Sequence, residues 1–440
     1  MNNRWITLCR TVGVAGMFVF APGSFVSASV IGTNTPAESL TLERIATLPA
    51  TQQPAWKNYL ARSTQQLKTD HAVLETELRE HGMKEPVIPP SGWSANSIPL
   101  QQSAEWYGSA EARRMADIIV SFQTPAGGWS KNLDLTDHPR APGEYFAPNN
   151  RSRRLGDTDF DAPHDVHWNY VGTIDNDATT TELRYLAKVI TVANPTNTAA
   201  YRAPFLRGID YLLAAQYRNG GWPQVWPLEG GYHDTITYND DAMINVLNLL
   251  RDVAGGKREF AFVPRATRAA ASATVQRGID CILATQIVVH GHRTVWCQQH
   301  DALTLQPAAG RNYEMPSQAS AESASIMEFL MSEPDPSRRV VAAVHAAAAW
   351  FETTKIAGMA YQRDGDNGRH LVPSRNAQPL WARYYEIGTD RPIFGDRDKT
   401  IHDKLEEISE ERRRGYAWYR NTPARALELY ATWRTTHPYP

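Results

Sequence analysis

The stretch RGIDYLLAAQYRNGGWPQVW, Arg207 to Trp226, returns as RGIDCILATQIVVHGHRTVW from Arg277 to Trp296. The two copies share Arg-Gly-Ile-Asp and then Ala-x-Gln, and a weaker third, RMADIIVSFQTPAGGWSKN, runs from Arg114 to Asn132. Gln123, Gln216 and Gln286 therefore close three helices of one design, and a further helix starting at Arg339 follows without the glutamine. A recurring unit of this size cannot bury its apolar face alone and buries it by stacking on the next copy. Between the copies lie other amphipathic stretches, Asp177 to Ala193, Asp240 to Val253, Ser320 to Met331 and Tyr416 to Trp433. No run shows the sustained alternation of a half-buried strand. The pattern predicts an all-α fold, an α/α toroid of repeated helical hairpins over 101–440.

Three connections, Asn132 to Thr173, Val288 to Ser317 and Ala357 to Lys399, are far longer than ordinary loops and rich in Trp, Tyr and Phe. They are expected to gather at one end of the toroid and build a cleft. Ahead of the repeats, one long helix from Pro54 to His81 and the breaker segment KEPVIPPSGW read as an arm, 29–100, on the same domain. Arg4 and Arg10, the apolar run Val12 to Ala21 and the small residues Ser27 and Ala28 have the form of a signal peptide, 1–28. No other segment approaches the roughly 18 apolar residues of a membrane span, so an exported, soluble monomer is expected. Only Cys281 and Cys297 would remain after cleavage, and they could form one disulfide. Lys plus Arg (45) nearly balances Asp plus Glu (47), so no overall field favours nucleic acid or a membrane surface.

Two acidic clusters recur one hairpin apart. Asp175 and Asp177 flank Asn176, and Asp240 and Asp241 follow Asn239, each ahead of an apolar helical pattern. Taken singly, each is an N-cap, whose oxygens accept the unpaired amides of a helix start. Together, on successive inner helices, they would face one cleft, where converging carboxylates repel unless a hard cation such as Ca2+ joins them. The long loops add arginines among aromatics: Arg311 in QPAAGRNYEMPSQAS, Arg383 and Arg391 in QPLWARYYEIGTDRP, and Arg397 in IFGDRDKT. Arginine forks bind carboxylates two bonds at a time, so these features describe a site for an anionic polysaccharide.

The repeat motif, basic-Gly-x-x-aromatic-aliphatic-x-x-x-Gln-x-x-x-Gly-x-Trp, also resembles that of triterpene cyclases, where it stabilises the fold and names no reaction. A more specific resemblance rests on six motifs in order: QTPAGGWSKN, TIDNDATTTELRYLA, RNGGWPQVWPL, ITYNDDAMINVL, GRNYEMPSQ and PLWARYYEIGTDRPIFGDRD. Over Gln101 to Pro440 the chain resembles the family ten pectate lyases. That resemblance implies an α/α toroid and calcium-assisted β-elimination of polygalacturonate. It implies that Asp175 and one of Asp240 and Asp241 bind Ca2+, with Asp240 preferred as nearer the helix start. It also implies that Arg311 is the catalytic base, and that Asn176, Arg383, Arg397 and, more loosely, Lys131 contact substrate. Two other functions fit the residues alone: an inverting glycoside hydrolase using the paired aspartates as acid and base, and a calcium-dependent module that binds sugar without cutting it.

Overall fold

The structure, a computed structural model, describes residues 29–439 apart from 94–96, 151–155, 157, 164, 166, 193–198, 257 and 366–367. The expected signal peptide lies outside the described residues. Twelve α-helices are described: α1 (Leu42–Ala46), α2 (Gln53–Glu80), α3 (Ala104–Tyr107), α4 (Ala110–Ser121), α5 (Thr180–Val192), α6 (Ala199–Ala215), α7 (Ala242–Gly255), α8 (Arg265–Thr285), α9 (Ser320–Met331), α10 (Arg338–Thr354), α11 (Glu410–Gly415) and α12 (Thr422–Trp433). From α4 to α10 they pack as neighbouring pairs, with α5, α7 and α9 side by side in one layer and α4, α6, α8 and α10 in the other.

The repeat residues lock each pair to the next. The Gln123 side-chain amide donates to the carbonyls of Gly127 and Pro204, both at 2.8 Å. Gln216 does the same to Gly220 and Thr274, and Gln286 to Thr294 and Ala343. Each glutamine thus closes its own turn and ties it to the outer helix of the following repeat. The tryptophans Trp129, Trp222 and Trp296 are fully buried, and each donates its indole N–H back to its own repeat's helix, at Ile119, Leu212 and Ile282. Glycine in the Arg-Gly step makes room for them: a Cβ at Gly208 would stand 3.1 Å from the Trp129 ring, and one at Gly278 3.3 Å from Trp222.

The all-α toroid expected from this repeat is corrected by the structure. The chain is about 46% helical. Its long connections carry short strands: β1 (Val30–Thr33), β2 (Ile236–Thr237), β3 (Val288–Val289), β4 (His292–Arg293), β5 (Gln299–His300), β6 (Pro307–Ala308), β7 (Gln318–Ala319), β8 (Met359–Asp364), β9 (Gly368–Pro373), β10 (Trp381–Ala382), β11 (Tyr384–Tyr385), β12 (Phe394–Gly395), β13 (Thr400–His402) and β14 (Tyr419–Arg420). Among the described residues these form six small antiparallel sheets, ordered β1-β13-β12, β10-β14, β11-β7, β2-β5-β6, β3-β4 and β8-β9. Strands of two or three residues leave no period to detect in sequence. The helix expected over Tyr416 to Trp433 is likewise β14 followed by the shorter α12.

The arm packs on the repeats. Tyr59 on α2 donates to the Ala215 carbonyl at 2.8 Å, its neighbour Trp56 lies 5.3 Å from the Tyr217 ring, and Arg140 grips Glu77 with both ends of its fork. Cys281 and Cys297 are buried and unpaired, and burial pushes the Cys281 thiol up to about 12. No described helix is long and apolar enough to cross a membrane.

One buried acid sets a pH response. Burial on α5 pushes the Glu182 carboxyl from an ordinary 4.5 up to about 8. The folded state then keeps a proton that the unfolded chain releases above about 4.5, so this group costs stability progressively from there to about pH 8. Glu182→Gln is expected to raise the melting temperature at pH 9 by several degrees more than at pH 5, as read by paired calorimetric scans.

Candidate active site

The two acidic clusters fold alike. Asn176 and Asp177 both take left-handed backbone (φ 50° and 61°), and Asp240 and Asp241 repeat the pair (φ 48° and 59°). The two turns pack against each other ahead of α5 and α7. Such conformations cost of order 1–3 kcal/mol each and persist where surrounding structure imposes them. The capping expectation does not hold: Asp241 stands at the N-cap of α7 without a side-chain capping bond, and Asp175 lies five residues ahead of α5.

Asp175 is buried, its Oδ2 receives Lys131 Nζ at 2.5 Å, and its Oδ1 has no partner. Burial alone would raise its pKa, but Lys131, with help from Arg311 and Gln224, holds it below the usual carboxylate range. Lys131 also sits 3.4 Å above the Tyr170 ring. Burial, and then repulsion from Asp175, pushes the Asp240 carboxyl up, and burial raises Asp241 to about 6. Ser325 on α9 partly offsets that rise at Asp241. Asp177 is engaged by Asn245 at 2.5 Å, while Asn176 is exposed and makes no side-chain hydrogen bond among the described residues.

Asp240 opens into a cavity of about 330 Å³ that it shares with Arg311 and Arg383. Neither lines the larger groove of about 810 Å³ beside His345, Trp350 and Tyr430. Arg383 is placed by its backbone, between β10 and β11: its amide donates to Trp418 at 2.6 Å and its carbonyl accepts from Ser320 at 3.0 Å. Its fork meets Glu322 at 3.1 Å and reaches Asp240 at 3.9 Å. Arg311 is held by Glu314, whose Oε1 takes Nε at 3.0 Å and Nη2 at 2.5 Å, leaving Nη1 without a partner among the described residues. Burial favours a neutral guanidine, yet Glu314 and nearby tyrosine hydroxyls outweigh it and hold the pKa above the usual arginine range. The Glu314 carboxyl falls in turn to about 2, burial being outweighed by Arg311. A polar chain links the two arginines: Tyr416 to Glu314, Tyr384 to Tyr416 and Gln298, and Gln298 to Glu322.

Arg397 is not among the residues lining the cavity. It pairs with Glu411 at 2.9 Å and stands 5.4 Å over Tyr313. Its carbonyl accepts from Asn312, and Asn34 from the arm donates to the carbonyls of both Arg311 (3.2 Å) and Asn312 (3.0 Å). Glu314, Glu322, Gln298 and Asn34 escaped sequence reasoning. Only Glu314, three residues after Arg311, carried a local signal.

Among the described residues no three acidic, histidine or cysteine side chains converge as a ready metal cage. The orphaned Oδ1 of Asp175 and the Asp240 carboxylate, raised by burial and then by Asp175, are two hard oxygen donors near one another. They suit a cation that takes its remaining ligands from water or substrate.

A family model described as pectic acid lyase matches residues 123–427. The chain is similar to the solved family 10 polysaccharide lyase from Cellvibrio cellulosa, at 32% identity and a TM-score of 0.62, covering 78% of this chain and 98% of that one. An aspartate-to-alanine mutant of that lyase, in complex with trigalacturonic acid, matches equally well, with 99% of its chain covered. No curated protein matches the chain.

Proposed function

We propose, on the premise that the chain belongs to the pectic acid lyase family and is a pectate lyase, that it is secreted and cleaves polygalacturonate by calcium-assisted β-elimination. The products would be 4,5-unsaturated oligogalacturonides. The observation that carries this reading is the shared cavity of Asp240, Arg311 and Arg383, with the Asp175 carboxylate close enough to raise Asp240. The trigalacturonic acid bound by the Cellvibrio enzyme supports the same substrate class.

The chemical task is to remove the C5 proton beside a uronate carboxylate, which is weakly acidic while that carboxylate keeps its charge. Asp175 and Asp240 would hold Ca2+, and the bound ion would supply Lewis acidity at the substrate carboxylate. Arg383 binds a uronate carboxylate through its fork, and its pinned backbone and Glu322 fix the direction of approach. Arg311 takes the C5 proton at Nη1, the nitrogen that Glu314 leaves open. The electron pair left on C5 becomes the C4–C5 double bond as the C4–O4 bond breaks, and the leaving oxygen gains a proton from water. Asn176 is exposed beside Asp175 and hydrogen-bonds substrate; Lys131, tied to Asp175, orients that carboxylate and contacts substrate only at its edge. Arg397, outside the cavity lining, clamps a more distant carboxylate.

The test is ultraviolet monitoring of polygalacturonate at alkaline pH with added calcium. Absorbance of an unsaturated uronate should grow and stop on adding a chelator; growth that ignores the chelator would remove the metal from the reading. Because two carboxylates fill few of the roughly 6 to 8 positions Ca2+ prefers, calcium should bind weakly to the free enzyme and at least about tenfold more tightly with an oligogalacturonate. Calorimetry with Arg311→Lys, which consumes the ligand far more slowly, checks this.

A further inference from the structure

The cavity that holds Asp240, Arg311 and Arg383 is also lined by Arg369, Arg414 and Arg420. Five arginines therefore face one space against a single aspartate. Three have acidic partners: Arg311 on Glu314, Arg383 on Glu322 and Asp240, and Arg414 on Glu410. Arg369 and Arg420 are exposed and form no ion pair among the described residues.

The β8-β9 hairpin sharpens the imbalance. Its register sets Arg363 directly opposite Arg369, so two like charges share one face of the ribbon. Like charges directly opposite one another destabilise a strand pair. Nothing in the hairpin requires them, since Tyr361 and Leu371 on the same face supply its packing. The Arg369 guanidinium lies 5.7 Å over the Tyr361 ring, an arrangement that orients the fork. The hairpin is anchored at its turn end: Gly368 takes φ 87° and comes so close to α11 that a Cβ there would meet Arg413 at 3.1 Å and Arg414 at 3.3 Å. Arg420 projects from β14, which β10 fixes through Trp381. Two separate elements, β9 and β14, thus bring forks without an ion pair among the described residues into the cavity, beside Arg414 on α11.

We infer that Arg369 and Arg420, with Arg414, form a carboxylate-binding subsite for galacturonate residues beyond those held at Arg311 and Arg383, so that the enzyme favours chains longer than three sugars. This rests on the pectate lyase reading and adds the length of chain the cleft accepts. A polyuronate presents one carboxylate per sugar, and each bidentate pair gains from the like charge it relieves.

The experiment uses the double variant Arg369→Gln/Arg420→Gln, changed at two exposed positions, against trigalacturonate and hexagalacturonate. The ratio of kcat/KM, hexamer over trimer, should fall about tenfold relative to wild type, mainly through the KM for the hexamer. In parallel, calorimetry in the Arg311→Lys background should show the hexamer losing about tenfold in affinity and the trimer much less. An unchanged ratio, whether through no loss or through equal loss on both substrates, would overturn the subsite. If wild type forms no unsaturated product while hexamer binding still depends on Arg369 and Arg420, the lyase reading fails and the subsite stands.

Discussion

Arg311→Lys is expected to lower kcat by roughly 10²–10⁴, the contribution of a positioned proton acceptor, and to change KM by little. A lysine keeps one positive charge near Glu314 but loses the fork. Glu314 occupies Nε and Nη2, so in the proposed reading Nη1 is the nitrogen that meets substrate, which makes this loss specific. An ammonium that satisfies Glu314 has no second nitrogen in a fixed plane. The same geometry predicts the wild-type pH profile. With Glu314 and the tyrosine hydroxyls holding Arg311 charged against the pull of burial, only a small neutral fraction reacts. That fraction grows about tenfold per pH unit while the pKa lies above the assay pH. The rate should climb through the alkaline range without a plateau near neutrality, and Glu314→Gln, which removes the charge that raises Arg311, should shift the climb to lower pH. A wild-type optimum below neutrality, or Arg311→Lys with unchanged turnover, would remove Arg311 from the base role.

Asp175→Asn is expected to cost roughly a thousandfold in activity, the several kcal/mol that metal-assisted charge stabilisation supplies, while the fold survives. The aspartate caps no helix, so no capping energy is lost. What is lost is the 2.5 Å ion pair with Lys131, and leaving a largely buried cation without its counter-ion costs up to about 3–5 kcal/mol. Part of this returns because Lys131 already rests on Tyr170. Asparagine preserves volume and hydrogen bonding and deletes only charge. Calcium affinity in the presence of oligogalacturonate and the melting temperature are measured together. A variant that melts far below wild type yet turns over normally would mean that Asp175 serves the fold alone.

The helical repeat was legible because its signal is repeated: glutamine, tryptophan and glycine recur at fixed offsets and each does the same structural work in successive copies. Gln216 and Trp222 were read as locking residues rather than chemistry, and their bonds to Gly220, Thr274 and Leu212 bear this out. The sheets were not legible. Most strands are two residues long and depend on partners far away in sequence, as β1 depends on β13. The β8-β9 hairpin is the exception, since GDNG, Gly365 to Gly368, is a turn signal inside the long loop. At the site, residue types were legible and their couplings were not. Asp240 was preferred over Asp241 for its position, and the structure sets Asp240 in the cavity and Asp241 against Ser325. That Lys131 would be bound to Asp175, or that the arm would hold the Arg311 loop through Asn34 on a backbone carbonyl, required groups separated by 44 and 277 residues to meet.

Elimination across C4–C5 leaves one double bond for each chain break, so counting products separates it from hydrolysis. Polygalacturonate is digested with the wild-type enzyme and calcium, and unsaturated uronate is measured by its ultraviolet absorbance beside new reducing ends in the same aliquots. One double bond should appear for every reducing end formed. Reducing ends that accumulate with no double bond would contradict the account and mark a hydrolase, returning the aspartate pairs to the roles of acid and base.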